Sequence, residues 1–216
     1  MEKPFQGLAT FLKAPVGDLT RPIGVLGVPF DLATSNRAGA RGGPNAIRKA
    51  SMMLTDGMHP LFGIDPSTMI TDLGDVPVSN IDLTRSMDQI TNAVEEHGYG
   101  ITPRRRLLAM GGDHTITTGI LRALAPKNPD LFVLHLDAHC DTWPDHFGEP
   151  MGHGTWVRNV IDERLVTPHN FLQVGIRSPV DPETRDWLPM RGGGVFTARE
   201  ALSEKLFVLR KMIPSD

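Results

Sequence analysis

Ionisable side chains occupy every second position of the segment that follows the apolar run 131–134. They are His135, Asp137, His139 and Asp141. In an extended strand all four would face the same side, because successive residues of a strand alternate between its two faces. Burying such groups together is costly unless a cation compensates them. Carboxylate and imidazole donors suit Mn, Zn, Fe or Ni better than Ca or Mg, so the pattern predicts a site for one of these metals.

Two further histidines lie in glycine-containing stretches. His114 comes after the apolar run 107–110, and the pattern over 115–124 predicts a helix directly after it. His153 lies in the Gly-His-Gly-Thr stretch at 152–155. Sites in open α/β sheets lie beyond the carboxyl ends of the strands, so His114 and the segment 135–141 can point into one crevice. Short motifs can match by chance, so an alternative stays open in which residues 135–141 are only the polar end of a strand that leads into a loop.

Strand-like apolar runs alternate with helical patterns along the whole chain. This alternation predicts an α/β fold with a mainly parallel sheet covered by helices on both faces. We place strands at 23–28, 68–72, 106–110, 131–137, 170–175 and 194–196, and helices at 44–51, 84–96, 115–125, 155–161 and 198–212. The stretch 52–66 is expected to be a loop. A chain of 216 residues with 40% hydrophobic residues is expected to form one domain, 1–216.

Composition excludes several classes of function. The net charge of −3 gives no basic stripe for nucleic acid, and the three arginines at 104–106 are too few to change this. The single cysteine, Cys140, rules out an internal disulfide and fits a reducing compartment. No apolar stretch approaches the ~20 residues of a membrane span, and residues 1–20 lack the features of a signal peptide. We expect a cytoplasmic protein that binds neither nucleic acid nor membranes.

Five motifs together resemble the ureohydrolase (arginase/agmatinase) family. They are Gly-Gly-Asp-His-Thr at 111–115, Asp-Ala-His-Cys-Asp at 137–141, Gly-His-Gly-Thr at 152–155, the Arg- and Gly-rich loop at 37–48, and Gln-Val-Gly-Ile-Arg at 173–177. Their order and spacing are most similar to agmatinase and guanidinobutyrase. The resemblance runs from about Ile23 to the end of the chain and implies a three-layer, arginase/deacetylase-like sheet flanked by helices.

The resemblance also implies an activity and a cofactor. The reaction would be hydrolysis of a guanidino compound such as agmatine to urea and an amine by a metal-bridging hydroxide, because plain water is a poor nucleophile toward a guanidinium. The cofactor would be two divalent metal ions, Mn first, with Ni, Zn or Fe as alternatives. The partners would be a small guanidino substrate and further copies of the chain in a homo-oligomer.

Residue roles can be carried over position by position. His114, Asp137 and Asp141 resemble the ligands of one metal, and His139 with a bridging Asp137 resembles those of the other. Asp141 would also hold and relay the proton of the hydroxide, and His153 would contact substrate or shuttle protons.

Other residues near these motifs have weaker assignments. Trp143, in the loop 142–150, is a candidate contact for the substrate's tail, although the loop can equally be a plain surface turn. Asp113 and His135 match no ligand position of the family; we expect Asp113 to support a ligand, and His135 either to support a ligand or to pack in the core. Cys140 alternates away from the metal-facing side and is expected to be a small buried hydrophobe.

One family motif has no counterpart in this sequence. Nothing after Phe196 resembles the family's Ser-x-Asp-x-Asp segment, which supplies two further aspartates. The chain is therefore expected to be a ureohydrolase cut short at its C-terminus, with a fold that is incomplete there. Two alternatives stay open: a non-catalytic protein that keeps the fold and acts through oligomer contacts, and a deacetylase-like amide hydrolase with a single zinc.

Overall fold

The computed structural model describes residues 7–203 and 213–214, and the chain divides into two compact units. The first unit ends at Leu124 and the second begins at Ala125. Each unit carries a parallel sheet with helices packed on it, which confirms the predicted α/β class. The assignment of 1–216 to a single domain stays a prediction. No helix in the described part of the chain has the length and apolar character needed to cross a membrane.

The first unit alternates strands and helices in chain order. They are β1 (Ile23–Gly27), α1 (Gly43–Ser51), β2 (Ile70–Asp75), α2 (Leu83–His97), β3 (Arg106–Met110) and α3 (Ile116–Leu124). The described strands pair in the order β2-β1-β3, all parallel, with β1 in the centre. Strand β2 begins and ends later than the predicted 68–72, because residues 66–68 form a 3-10 turn capped by the Asp65 side chain.

Helix α2 shows how sequence signals set the bounds of an element. The Asp82 side chain accepts a hydrogen bond from the Arg85 amide at the first turn, and Gly98 ends the helix in the left-handed conformation. The buried face of α2 packs on α3 at Gly119. A Cβ at Gly119 would lie 2.9 Å from Cβ of Ile90, so only glycine permits this close approach.

A buried ion-pair network joins α1 to β2. Arg48 donates two hydrogen bonds of 2.8 Å to the Asp72 carboxylate, one of 2.5 Å to Asp75 and one to the Gly74 carbonyl. Burial raises the pKa of Asp72, but hydrogen bonds from Arg48 and from the Phe11 amide outweigh burial and hold that pKa below its usual value. The network therefore fixes α1 and the segment around Phe11 against the sheet.

A second carboxylate, Asp31, closes the Arg- and Gly-rich loop. Its side chain is buried and accepts hydrogen bonds from the Gly39 amide at 2.6 Å and from the Arg41 amide and guanidinium. The Arg41 hydrogen bond lowers the pKa of Asp31 from 3.8 to about 2. The resemblance had marked this loop only by its glycines and arginines, whereas the structure shows that Asp31 orders it.

Replacing Asp31 with asparagine is expected to lower stability in a pH-dependent way. The folded-state pKa lies below the usual value, so the charged carboxylate stabilises the fold above pH 3.8 and loses this contribution as the pH falls to about 2. The loss at pH 6 should be roughly 2 kcal/mol and should shrink toward pH 2. Urea unfolding at several pH values measures it, with Asp88→Asn on the exposed side of α2 as control. A loss that does not vary with pH would contradict the assigned ion pair.

The second unit repeats the alternation. Its elements are β4 (Val133–Leu136), α4 (Trp156–Asp162), β5 (Phe171–Ile176), α5 (Pro182–Asp186), β6 (Gly194–Thr197) and α6 (Ala198–Ala201). The described strands pair in the order β4-β5-β6, all parallel. Helix α5 was not predicted. The predicted helix 198–212 begins at Ala198 behind a capping box made by Thr197 and Glu200, and its part at 204–212 lies outside the described residues.

Candidate metal centre

The carboxyl end of β4 carries the donor atoms of the candidate centre in the second unit. One donor atom from each of His135, Asp137 and Asp141 lies within 4.8 Å of the others. His135 Nε2 is 3.4 Å from Asp137 Oδ2 and 4.0 Å from Asp141 Oδ2. The structure thus brings together two of the predicted ligands, with His135 beside them.

The sequence predicted that His135, Asp137, His139 and Asp141 would share one face of a strand. This prediction is wrong beyond Leu136. Strand β4 ends there, and Asp141 has a left-handed φ of 52°. His139, at 56% side-chain exposure, lies on the outside, while Asp141 is buried. The path of the loop backbone therefore determines which side chains come together. The strand-like alternation of the sequence does not.

Helix α4 fixes the position of Asp141. Trp156 Nε1 donates a 2.8 Å hydrogen bond to Asp141 Oδ2, and the Val157 amide donates to the Asp141 carbonyl at 3.2 Å. Both donors lie in the first turn of α4. The same indole contacts the His135 ring edge to face, with centroids 4.9 Å apart. Helix α4 therefore holds both the backbone and the side chain of Asp141.

Asp137 is held by β5 and by its own loop. Its amide donates to the Val174 carbonyl at 3.1 Å, which continues the ladder one residue past β4. A Cβ at Gly175, where φ is 99°, would lie 2.9 Å from the Asp137 carbonyl oxygen, so glycine is needed there. Asp137 Oδ1 accepts from the His139 amide at 2.8 Å and lies 3.2 Å from His139 Nδ1. His139 thus stays within reach of Asp137.

His114 belongs to the first unit, where it follows β3. Its neighbour Asp113 accepts hydrogen bonds from the Ala33 amide at 3.1 Å and the Thr115 amide at 2.8 Å. The Asp113 amide donates to the Phe30 carbonyl at 2.8 Å. These bonds tie the start of α3 to the loop after β1, and the expected support of a ligand by Asp113 stays a prediction. The inclusion of His114 in the ligand set stays a prediction of the sequence.

The loop after Asp141 gathers an aromatic cluster that contains both Trp143 and His153. The Trp143 amide donates to the Gly154 carbonyl at 3.2 Å, and the His146 and His153 rings contact edge to face at 4.9 Å. Burial, followed by the nearby His153, lowers the pKa of His146. Sequence reasoning missed His146, whose only signal was its place in the same loop as Trp143.

Trp143 also lines a cavity of about 400 Å³ next to this cluster. Arg158, Asp181, Glu183 and Thr184 are among the other lining residues. Charged groups of both signs therefore face the space beside the candidate tail-contacting residue. Cys140, by contrast, is buried at 2% exposure as a free thiol, as the sequence predicted.

The donor set fits a divalent cation. Asp141 is buried and Asp137 is partly buried, and their carboxylates lie in one group of donors. Two carboxylates in one group of donors repel each other, and a bound cation would offset that repulsion. Oxygen and imidazole donors together match Mn, Fe, Ni or Zn.

Comparison with known proteins gives consistent matches over most of the chain. Residues 21–214 match the model of the Arginase family. A guanidinopropionase of Pseudomonas aeruginosa is 40% identical over 184 residues, which cover 82% of this chain and 55% of that protein. A mitochondrial guanidino acid hydrolase of Homo sapiens is 42% identical over 178 residues, covering 79% of this chain and 49% of its own.

Solved structures agree with these matches. The proclavaminate amidino hydrolase of Streptomyces clavuligerus superposes with a TM-score of 0.86 at 31% identity, over 99% of this chain and 73% of that one. The chain spans about half the length of the two curated relatives, the guanidinopropionase and the guanidino acid hydrolase.

Proposed function

Because the chain belongs to the arginase family, we propose that it provides the binding site of a metal-dependent hydrolase that cleaves a linear guanidino compound to urea and an amine. The main support for the proposal is that donor atoms of Asp137, Asp141 and His135 lie close together at the carboxyl end of β4. The names of the relatives support the substrate class, since they are a guanidinopropionase, a guanidino acid hydrolase and an agmatinase.

We assign the metal ligands as His114, Asp137, His139 and Asp141, with two divalent ions, Mn first. Bound metal would lower the pKa of water and so supply hydroxide at neutral pH. Asp137 would be a ligand of both ions. This role is supported by the different surroundings of its two carboxylate oxygens, since Oδ2 faces His135 and Asp141 whereas Oδ1 faces His139.

The protein's own groups would then bind substrate and move protons. The Asp141 carboxylate, which the Trp156 indole holds at Oδ2, is proposed to hold the proton released at the attacking oxygen. The leaving amine must depart protonated, and His153 is the proposed carrier of that proton. His146 contacts His153 and its pKa is lowered, so it is expected to be neutral beside a cationic substrate.

Trp143 is proposed to contact the substrate's tail. Its ring centroid lies 6.2 Å from that of His146, and Trp143 lines the same cavity as Arg158 and Glu183. We further propose that the protein is cytoplasmic and forms a homo-oligomer, as the sequence resemblance implies.

A panel of guanidino substrates tests the proposal. Urea release is measured from agmatine, 4-guanidinobutyrate, 3-guanidinopropionate and arginine with Mn²⁺. The chain is assayed alone and together with the part of the Pseudomonas aeruginosa guanidinobutyrase that lies outside the match, which covers 65% of that protein. We expect Mn²⁺-dependent urea release from at least one compound, abolished by chelation.

The outcomes separate the alternatives. Bound Mn²⁺ without urea from any substrate in either format would favour a non-catalytic protein that acts through oligomer contacts. Zinc-dependent release of acetate from an acetylated amine, with no urea, would favour the deacetylase-like hydrolase.

A further inference from the structure

A buried glutamine, Gln173, contacts the histidine that lies beside the two carboxylates. Gln173 of β5 is fully buried and pairs in register with His135 of β4. Its amide nitrogen Nε2 lies 3.0 Å from His135 Nδ1 and 2.5 Å from the Cys140 carbonyl oxygen. One amide group thus touches both the histidine and the loop between the two aspartates.

The Cys140 carbonyl decides the orientation of the Gln173 amide. A carbonyl oxygen only accepts hydrogen bonds, so the amide atom beside it must be the NH₂ group and not the oxygen. The reversed amide would set two acceptors 2.5 Å apart. The NH₂ group has two hydrogens, of which one serves Cys140 and the other faces His135 Nδ1.

The orientation of this amide in turn decides the tautomer of His135. Nδ1 faces a donor and must accept, so in the neutral ring the proton is on Nε2. Nε2 is the nitrogen that faces Asp137 Oδ2 at 3.4 Å and Asp141 Oδ2 at 4.0 Å. Contacts with the rings of Trp156 and Phe171 hold the imidazole plane in this direction.

We infer that His135 is a positioning residue and not a metal ligand: its Nε2–H faces the Asp137 and Asp141 carboxylates and orients them, and Gln173 sets that tautomer. Distance alone allows the opposite reading, since His135 Nε2 belongs to the same group of donor atoms as both carboxylates. A ligand needs a bare Nε2, however, and the proton on Nδ1 would then point at the Gln173 NH₂ group. Metal-bound histidines place that proton on an acceptor instead.

The inference rests on the proposed metal site for its functional meaning, but its first test does not need metal. The whole chain is labelled with ¹⁵N-histidine, and long-range ¹H–¹⁵N correlation reports which ring nitrogen carries the proton. The His135 signals are identified by their loss in His135→Gln. We expect the Nε2–H form in the metal-free chain. An Nδ1–H form would overturn the inference.

Addition of diamagnetic Zn²⁺ gives the second test. The proton on His135 Nε2 is expected to remain when Zn²⁺ binds, as shown by shifts of other histidine signals. Loss of that proton on Zn²⁺ binding would make His135 a ligand and overturn the inference. Failure of the wild-type chain to bind any metal would count against the proposed function, while the metal-free tautomer would still decide the role of His135.

Variants connect the tautomer to metal affinity. Gln173→Leu removes the donor at nearly constant volume, so His135 should populate both tautomers and Mn²⁺ affinity should fall about tenfold. Leu172→Ala is the matched control, because Leu172 is equally buried in β5 and its side chain points to the other face. It should lower stability and leave both the tautomer and the affinity unchanged.

Conservative replacement separates positioning from packing. His135→Gln keeps a side-chain N–H and should retain more Mn²⁺ affinity than His135→Leu, which keeps only bulk. Equal affinity in these two variants, or an unchanged tautomer in Gln173→Leu, would contradict the inference. Thermal unfolding of each variant beside Leu172→Ala shows whether loss of folding explains the result.

Discussion

Replacing Asp137 with alanine is expected to strip the protein of divalent metal. Asp137 is the residue proposed to serve both ions, and its two oxygens face different donors, His139 on one side and His135 with Asp141 on the other. Loss of a residue beside a ligand costs about 10–100-fold in affinity, and loss of a shared ligand should exceed that. Elemental analysis after dialysis against Mn²⁺ measures the effect.

Two matched variants make this result interpretable. Asp137→Asn keeps an oxygen for the His139 amide and nearly the same volume, so it should lose metal while the fold remains. Asp162→Asn removes an exposed carboxylate at the end of α4 and should bind metal like the wild type. Undiminished Mn in Asp137→Ala would refute the site assignment, because a shared ligand must affect both ions.

Replacing Arg48 with leucine is expected to destabilise the first unit strongly. Arg48 is 6% exposed, and its guanidinium is the cation beside the buried Asp72 carboxylate. Breaking a buried ion pair by removing one partner leaves a buried charge uncompensated and costs about 3–5 kcal/mol. Chemical denaturation measures the loss, with Arg85→Leu on the exposed part of α2 as control, expected within about 0.5 kcal/mol of wild type.

A double replacement tests the cause of this loss. Arg48→Leu combined with Asp72→Leu removes both charges, so the double variant should be more stable than the sum of the two single losses predicts. Additive losses would mean that Arg48 acts mainly through its contacts with Asp75 and the Gly74 carbonyl, and not through its pairing with Asp72.

Much of the fold follows from local patterns in the sequence. Strand β3 has the predicted bounds, and helices α1 to α4 begin and end within two residues of the prediction. Helix α2 shows such local signals most clearly, because an apolar period runs between the Asp82 cap and the following Gly98. The missed helix α5 had such a signal as well, because Asp181 caps its first turn ahead of Pro182.

The candidate metal-binding motifs could also be found in the sequence, because residue type and order define them. The geometry of these motifs could not be predicted from the sequence. The period of two placed His139 beside Asp141, whereas β4 ends at Leu136 and the loop turns His139 outward. A loop's path depends on distant partners, here the Trp156 indole and the Val174 carbonyl, and no local pattern encodes these.

Tertiary structure alone supplied the partners of Gln173 and Arg48. Gln173 lies 38 positions from His135, and Arg48 lies 24 from Asp72. In the sequence neither residue has a local pattern that points to its partner. Their importance arises because burial makes an unpaired polar group costly, so each must find a partner wherever the fold supplies one. Residue types and spacing therefore determined which chemistry this protein carries, and packing determined which groups hold it in place.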